Sequence, residues 1–509
     1  MSYYAIGIGG TGAKCLESLI HLAAAGLMPD EEDLNLLFVD PDGANGSLGR
    51  ATSLLSNYRD CRAGRVAGFD LFKTPINPTL KQGSTEPNSD IWSPLENGKR
   101  QLDNFFNSNL LSPEAGHLFN LLYSPEEQKT NLEVGFRGRP AIGAAVMASA
   151  INLDNAEPWK SIKQKMQGEV GNAKSVKIVL FGSIFGGTGA AGFPTIAKII
   201  KLWIESFPNP QKAPVKLGGV LLLPYFSFSQ PIENGIAASS DDFLLSSQAA
   251  LQYYHQKADL EVFDETFVLG SEDRLQMRKS EIGGRLQEND PHFVELYAAL
   301  AAVDFFSNVN GNGAAANGSR YKMVARSKSD ALGWHDLPSN GDELQDKLMK
   351  MTRFAFAYLS QYHPILKDIS EHGRSYRSPW YMSFFEFKDV PIRDELGGRL
   401  RSVKEYCEAF LLWIARVEFS ISGKQTKASN LVEISTFTAV ENDAAGRGDV
   451  TLKSVIDPNG FAAISLPNMQ SDAATLSHVW ECMCGARSKG NKENGTWHFL
   501  NELYRQCGN

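Results

Sequence analysis

The chain has 509 residues, 43% of them hydrophobic and 21% charged, with a formal net charge of −8. That balance excludes a disordered chain and opposes general affinity for nucleic acid or anionic membranes, while leaving room for a local basic pocket. The length can bury a large core and suggests about two to four domains.

In chain order, "YYAIGIGG" predicts a strand with no basic leader before it, so no signal peptide is expected. "GAKCLESLIHLAAAGL" follows with apolar residues on a helical period, and "LNLLFVD" (Leu34–Asp40) is a buried strand ending in the turn "PDGANG". "RPAIGAAVMASAINL" predicts a helix with Pro140 in its first turn. "SVKIVLFGSI" and "GFPTIAKIIKLWIESF" give a strand and a helix, and "KLGGVLLLPYF" and "ETFVLGS" complete the strands. Near-continuous apolar strands separated by helices predict an α/β fold with a parallel sheet covered on both faces.

"NDPHFVELYAALAAVDFFSN" predicts a buried helix apolar almost all round, with Asp290 as N-cap and Pro291 at its first position. Beyond the loop "NVNGNGAAANGSR", helices such as "ELQDKLMKMTRFAFAYLSQY" mix with expected short strands "WYMSFFEFKD" and "NLVEISTFTAV", which reads as an α+β domain. The expected division is 1–288 for a nucleotide-binding domain, 289–308 for a connecting helix and 309–509 for the second domain. No apolar run is long enough to span a membrane. Six cysteines fit free thiols in a reducing cytoplasm, and Cys482-Met483-Cys484 with Cys507 lacks zinc-finger spacing.

Two phrases carry chemistry. Gly7-Ile8-Gly9-Gly10-Thr11-Gly12 fits G-x-G-x-x-G after a first strand, with Asp40 closing the second strand. Phe185-Gly186-Gly187-Thr188-Gly189-Ala190-Ala191-Gly192 lies between a strong strand and a helix. Small residues leave the amides open to an anion, the helix start adds partial positive charge, and Thr188 offers a hydroxyl. A dinucleotide fold needs one such loop. Two on one parallel sheet suggest phosphates gripped from two sides at the strands' carboxyl edge.

"FGGTGAAGFPTIAKIIK" resembles the signature loop of the tubulin and FtsZ superfamily, and "GIGGTGAKCLE" its first phosphate loop. "LLFVDPDGANGS" is similar to the second loop, "GFRGRPAIGAAVM" to the third, and "GGVLLLPYFSF" to the strand after the signature. "NDPHFVELYAALAAVDFF" takes the place of the family's central helix, so the resemblance runs in order through roughly the first 310 residues. It points toward the bacterial tubulin-like proteins rather than FtsZ itself.

The resemblance implies GTP or GDP held by Gly9, Gly10, Thr11 and Gly12 and by Gly186, Gly187, Thr188 and Gly189. Asp40 and Asp42 are candidates for nucleotide or Mg²⁺ contact, or are turn residues beside Pro41 and Gly43. Arg137 and Arg139 either bond a terminal phosphate or are solvated loop charges. Phe293 and Tyr297 either stack on a base or belong to the core, which is the commoner role for such aromatics. Where the family reads guanine through an asparagine, this chain has Ser271, Glu272 and Asp273.

The family's hydrolysis uses acids after the central helix, inserted into the neighbouring subunit's site. The candidates here are Asp304, Asp330 and Asp336, any of which would orient the attacking water. The expected function is a GTP-binding protein that self-associates head to tail, possessing or lacking GTPase activity. Two alternatives stay open: a non-hydrolysing nucleotide-dependent scaffold or switch, and a Rossmann-type NAD-dependent oxidoreductase using Gly7, Gly9, Gly12 and Asp40. Cargo and protein partners are not legible.

Overall fold

A computed structural model describes the chain except residues 30–31, 80–84, 86–88, 96–99, 137–138, 150–154, 208–214, 229–239, 258, 272–273, 278–288, 309–319, 327–333, 335–336, 338–340, 373–377, 386–397, 423–430, 443–447, 465–474, 486–494 and 509. Its centre is a parallel sheet built from β1 (Ser2–Ile8), β2 (Leu34–Val39), β3 (Ile91–Trp92), β4 (Val176–Ser183), β5 (Val215–Leu222), β6 (Glu265–Ser271) and β7 (Arg320–Arg326). The strand order is β3-β2-β1-β4-β5-β6-β7, and every neighbouring pair is parallel. β1, β2 and β4 are buried along their whole length, as near-continuous apolar runs require of strands covered on both faces.

The connections are helical: α1 (Gly9–Ala24), α2 (Gly46–Arg62), α3 (Pro140–Ser149), α4 (Trp159–Gly171), α5 (Gly187–Ser206), α6 (Ser240–Gln256) and α7 (Phe293–Ser307). Adjacent positions of β5 identify the two faces. A Cβ on Gly218 would lie 3.2 Å from the ring of Phe305 in α7, and one on Gly219 would lie 2.9 Å from Phe193 in α5. Successive strand residues point to opposite faces, so α5 and α7 cover opposite sides. α7 shares its side with α1.

This placement has a topological consequence. β4-α5-β5 and β6-α7-β7 step the same way across the sheet on opposite faces, so the two crossovers have opposite hands. Right-handed crossovers are the strong rule. The exception places α7 beside α1 rather than beside α5.

α8 (Gly341–Ala357), continued by a wider turn over Tyr358–Tyr362, joins α9 (Arg399–Ser422), α10 (Leu476–Gly485) and α11 (Gly495–Gln506) in a further layer. That layer closes over α1 and α2. Tyr504 Oη donates to Ala25 O at 3.1 Å, Lys347 Nζ to Gly26 O at 2.9 Å, and His21 of α1 packs 4.6 Å from Trp413 of α9.

Three local expectations are corrected. "WYMSFFEFKD" is not a strand where it is described: Pro379–Phe384 is a helix, with Pro379 at its start and Trp380, Tyr381 and Phe384 buried together on one side. Of "NLVEISTFTAV", only the end is extended, in a strand Thr438–Asn442 paired antiparallel with Gly448–Leu452. α7 begins at Phe293 rather than Pro291. His292 is the cap, accepting from Val294 N at 3.1 Å while Glu295 accepts from His292 N at 2.9 Å. Asp290 is turned to Arg416 at 3.1 Å instead.

Candidate functional site

β1 and β4 are the neighbouring strands at which the order reverses, and both end in a glycine turn that opens a helix. In open α/β sheets the crevice at this switch point, outside the strands' carboxyl ends, is where ligands bind. Here the two turns touch. Gly9 has φ +73°, and a Cβ on it would lie 3.3 Å from Thr188 Cβ and 3.4 Å from Gly189 N. A left-handed backbone pressed against a second main chain explains why the position holds glycine.

The other end of the first motif has a packing role. A Cβ on Gly12 would lie 2.6 Å from the Gly7 carbonyl carbon and 3.0 Å from Phe181 O, so Gly7 and Gly12 let α1 seat directly on β1 and β4. In the second turn, a Cβ on Gly189 would meet Ser183 O at 2.6 Å, and one on Gly186 would meet Ser183 Oγ at 2.8 Å.

Both helix starts lack the usual protein partners. α1, preceded by Ile8, and α5, preceded by Gly186, have no side-chain cap, and neither carries an acidic residue in its first turn. Helix starts leave N–H groups unsatisfied and favour negative charge. Two such starts meeting at Gly9 and Thr188 suit an anion with several oxygens.

The segment after β2 borders the same turn. Asp40 and Asp42 are buried, Asp40 Oδ1 accepts from Asp42 N at 3.0 Å, and Asp42 Oδ1 accepts from Ala44 N at 3.1 Å. Burial pushes the Asp40 carboxyl up to about 7 against the Asp42 N–H, which favours its charged form. Asn45 caps α2 by accepting from Leu48 N at 3.1 Å, and its amide lies 3.4 Å from where a Gly10 Cβ would stand. The sequence reading overlooked Asn45; its place three residues before Leu48 in "NGSL" is the cap pattern that marks it.

From the third segment, a Cβ on Gly143 of α3 would lie 2.8 Å from Gly187 O, so α3 leans on the start of α5. Arg139 pairs with Glu127 at 3.0 Å, while Arg137 lies outside the described residues. Phe293 is buried with its ring 5.1 Å from Trp334, and Tyr297 is half-buried. Asp304 sits near the far end of α7, at the sheet's amino edge, and pairs with Lys322 at 2.7 Å. Asp330 and Asp336 lie outside the described residues, as do Glu272 and Asp273; Ser271 ends β6 and is buried.

Beneath the first turn is a buried ionic cluster that the sequence does not announce. Lys14 of α1 pairs with Glu295 of α7 and donates to Tyr225 Oη at 3.2 Å. Tyr225 Oη donates to Glu295, and the Thr11 hydroxyl is hydrogen-bonded to the same phenol. Lys14 Nζ also lies 5.5 Å and 5.6 Å from the ring centres of Tyr225 and Phe226. Burial raises the Glu295 carboxyl, with Lys14 opposing, and drives His292 down to about 3, with Lys14 adding to the effect. The first turn's lysine is thus neutralised inside the protein. An anion on the turns would be held chiefly by main-chain N–H groups, Thr188 and helix starts.

Among the described residues no group of three or more His, Cys, Asp or Glu side chains could hold a metal ion. A cation beside Asp40 or Asp42 would take most of its ligands from phosphate oxygens and water, as Mg²⁺ does. All six cysteines are free, and no helix among the described residues is long and apolar enough to cross a membrane.

Fold and site together define a doubly wound α/β protein with a paired glycine cradle at its switch point. No family model matches the chain, and no curated protein does. Among solved structures it is similar to "CetZ2 from Haloferax volcanii - GTPgS bound protofilament", at 13% identity and a TM-score of 0.26. The match covers 61% of this chain and 61% of that one.

Proposed function

We propose that this chain is a tubulin-like nucleotide-binding protein that holds a guanine nucleotide on the two glycine turns and associates head to tail. One observation carries the reading: Gly9 and Thr188, far apart in sequence, form one wall at the ends of adjacent parallel strands. Gly10, Thr11 and Gly12 present the start of α1, and Gly187, Thr188 and Gly189 the start of α5. Asp40 or Asp42 would hold Mg²⁺ against the phosphates, and the cation's charge would draw the Asp40 carboxyl back to its ionised form.

The placement of the parts supports the head-to-tail reading. The cradle is at the carboxyl edge and the end of α7, with Asp304, is at the amino edge. Stacking one copy on another brings these two edges together and gives an open filament. The Asp304–Lys322 ion pair favours a second reading, a nucleotide-dependent scaffold that hydrolyses slowly, because an acid held by lysine is a poor water activator.

The strand order is shared with dinucleotide-binding folds, so the test separates the two. The full chain is purified, denatured, and its released nucleotide identified by mass spectrometry. Guanine nucleotide whose retention falls in Thr188→Val supports the proposal. NAD that survives Thr188→Val overturns it in favour of an oxidoreductase. Sedimentation with GTP against GDP then tests assembly.

A further inference from the structure

α1 and α2 begin side by side, with the Asn45 amide that caps α2 next to Gly10 in the first turn of α1. Further along, Arg50 of α2 is clasped by the buried Glu17 of α1 through bonds of 2.7 Å and 2.8 Å. A two-pronged ion pair of this kind adds geometric specificity to its energy. It fixes the start of α2 against α1.

Asn45 stands at that seam and is 5% exposed. Its N–H donates to Asp42 O at 3.1 Å, and its carbonyl accepts from Gly49 N at 2.9 Å, so the main chain is held on both sides. Its Oδ1 accepts from Leu48 N at 3.1 Å, and that cap decides which way the amide faces. Nδ2 is then the heavy atom nearest to the place of a Gly10 Cβ, at 3.4 Å.

This arrangement sets a donor beside donors. The start of α1 presents main-chain N–H groups and has neither a side-chain cap nor an acidic residue in its first turn. An amide NH₂ next to them adds to the convergence of donors that anions occupy. Capping alone does not call for the amide. Asp and Ser cap about as well as Asn, and Asp would also suit the positive end of α2. Asparagine supplies the cap and keeps a negative charge away from the cradle.

We propose that Asn45 is a ligand-binding residue of the cradle, donating from Nδ2 to a phosphate oxygen that also accepts from the main chain at Gly10. This role rests on the nucleotide reading above and deepens it, by bringing the start of α2 to the same polyphosphate. The Glu17–Arg50 clasp holds the amide in place beforehand, so little ordering is needed when the anion arrives.

The test is calorimetric titration of the full chain, stripped of nucleotide, with GTP, GDP and inorganic pyrophosphate, alongside thermal unfolding without ligand. Asn45→Ser and Asn45→Asp keep a capping oxygen and should unfold like the wild type. Asn45→Ser should weaken all three ligands about tenfold, the loss of one bond to a charged group. Asn45→Asp should weaken them about a hundredfold, because a like charge then faces the phosphates. Asn45→Ala should weaken binding and also lower the unfolding temperature. Ser and Asp variants that bind as the wild type does would show a cap and nothing more, and would overturn the proposal. A wild type that takes pyrophosphate but no guanine nucleotide would sink the guanine reading alone, with the pyrophosphate series still deciding Asn45. A wild type that takes none of the three would overturn both.

Discussion

The two glycine turns look alike in sequence and are supported in different ways. The first rests on ionic chemistry: Thr11 and Lys14 reach down to Tyr225 and, through it, to Glu295 on α7. The second rests on close neutral packing, with Ser183 behind Gly186 and Gly189, α3 against Gly187, and the Tyr254 hydroxyl donating to Ala190 O at 2.5 Å. The difference shows that a repeated phrase need not repeat a role. One turn is tied to another helix through charge, and the other is set by close packing and a neutral hydrogen bond.

The sharpest break of that comparison is Gly12→Val, whose side chain would collide with backbone on both neighbouring strands. It should lose ~4 kcal/mol or more and leave little folded protein, measured by urea unfolding. Next, Glu295→Gln strands a buried lysine and should cost ~3–5 kcal/mol, whereas the double change with Lys14→Met should cost clearly less than the sum of the two singles. Equal additivity would show that the two side chains do not act as a pair.

A pH series sharpens the same contrast with a smaller effect. Asp40 and Glu418 are pushed up to about 7 and about 8 by burial, from ordinary values of 3.8 and 4.5. The folded state therefore binds their protons more tightly, and the stability they contribute is lost as pH rises through those raised values. His21 and His292, driven down from 6.5 to about 3 by burial, act oppositely: their contribution is lost as pH falls below 6.5. Net of the histidines, stability should thus fall by about 1.5 kcal/mol from pH 6.5 to pH 8, and Asp40→Asn should remove about half of the fall. The smallest effect is Gly10→Ala, where a Cβ meets only the Asn45 side chain at 3.4 Å. Stability should change by less than ~1 kcal/mol while nucleotide affinity drops, because the methyl enters the cradle.

Much of the sheet was legible because its strands are buried on both faces and written as near-continuous apolar runs, Ile178-Val179-Leu180-Phe181 of β4 above all. The meeting of Gly9 with Thr188 was expected from two turns on one sheet. The Lys14–Glu295 pair was not, since a lysine at a helix start reads as solvated until the opposite wall is known. The face taken by α7 was equally hidden, because the handedness rule points to the other side. "WYMSFFEFKD" was misread because aromatic residues favour strands, and tertiary burial of Trp380 and Phe384 outweighed that preference.

Lys177, at the start of β4, donates to the carbonyls of Phe305, Phe306 and Asn308, at 3.1, 2.7 and 2.7 Å. With Glu295 at the opposite tip held by Lys14 of α1 and by Tyr225, α7 is fastened at one end to β4 and at the other to α1 and the segment after β5. Such a rod of ~22 Å can neither slide nor shorten without breaking a charged clamp. Its length therefore sets the spacing between the sheet's carboxyl and amino edges on that face.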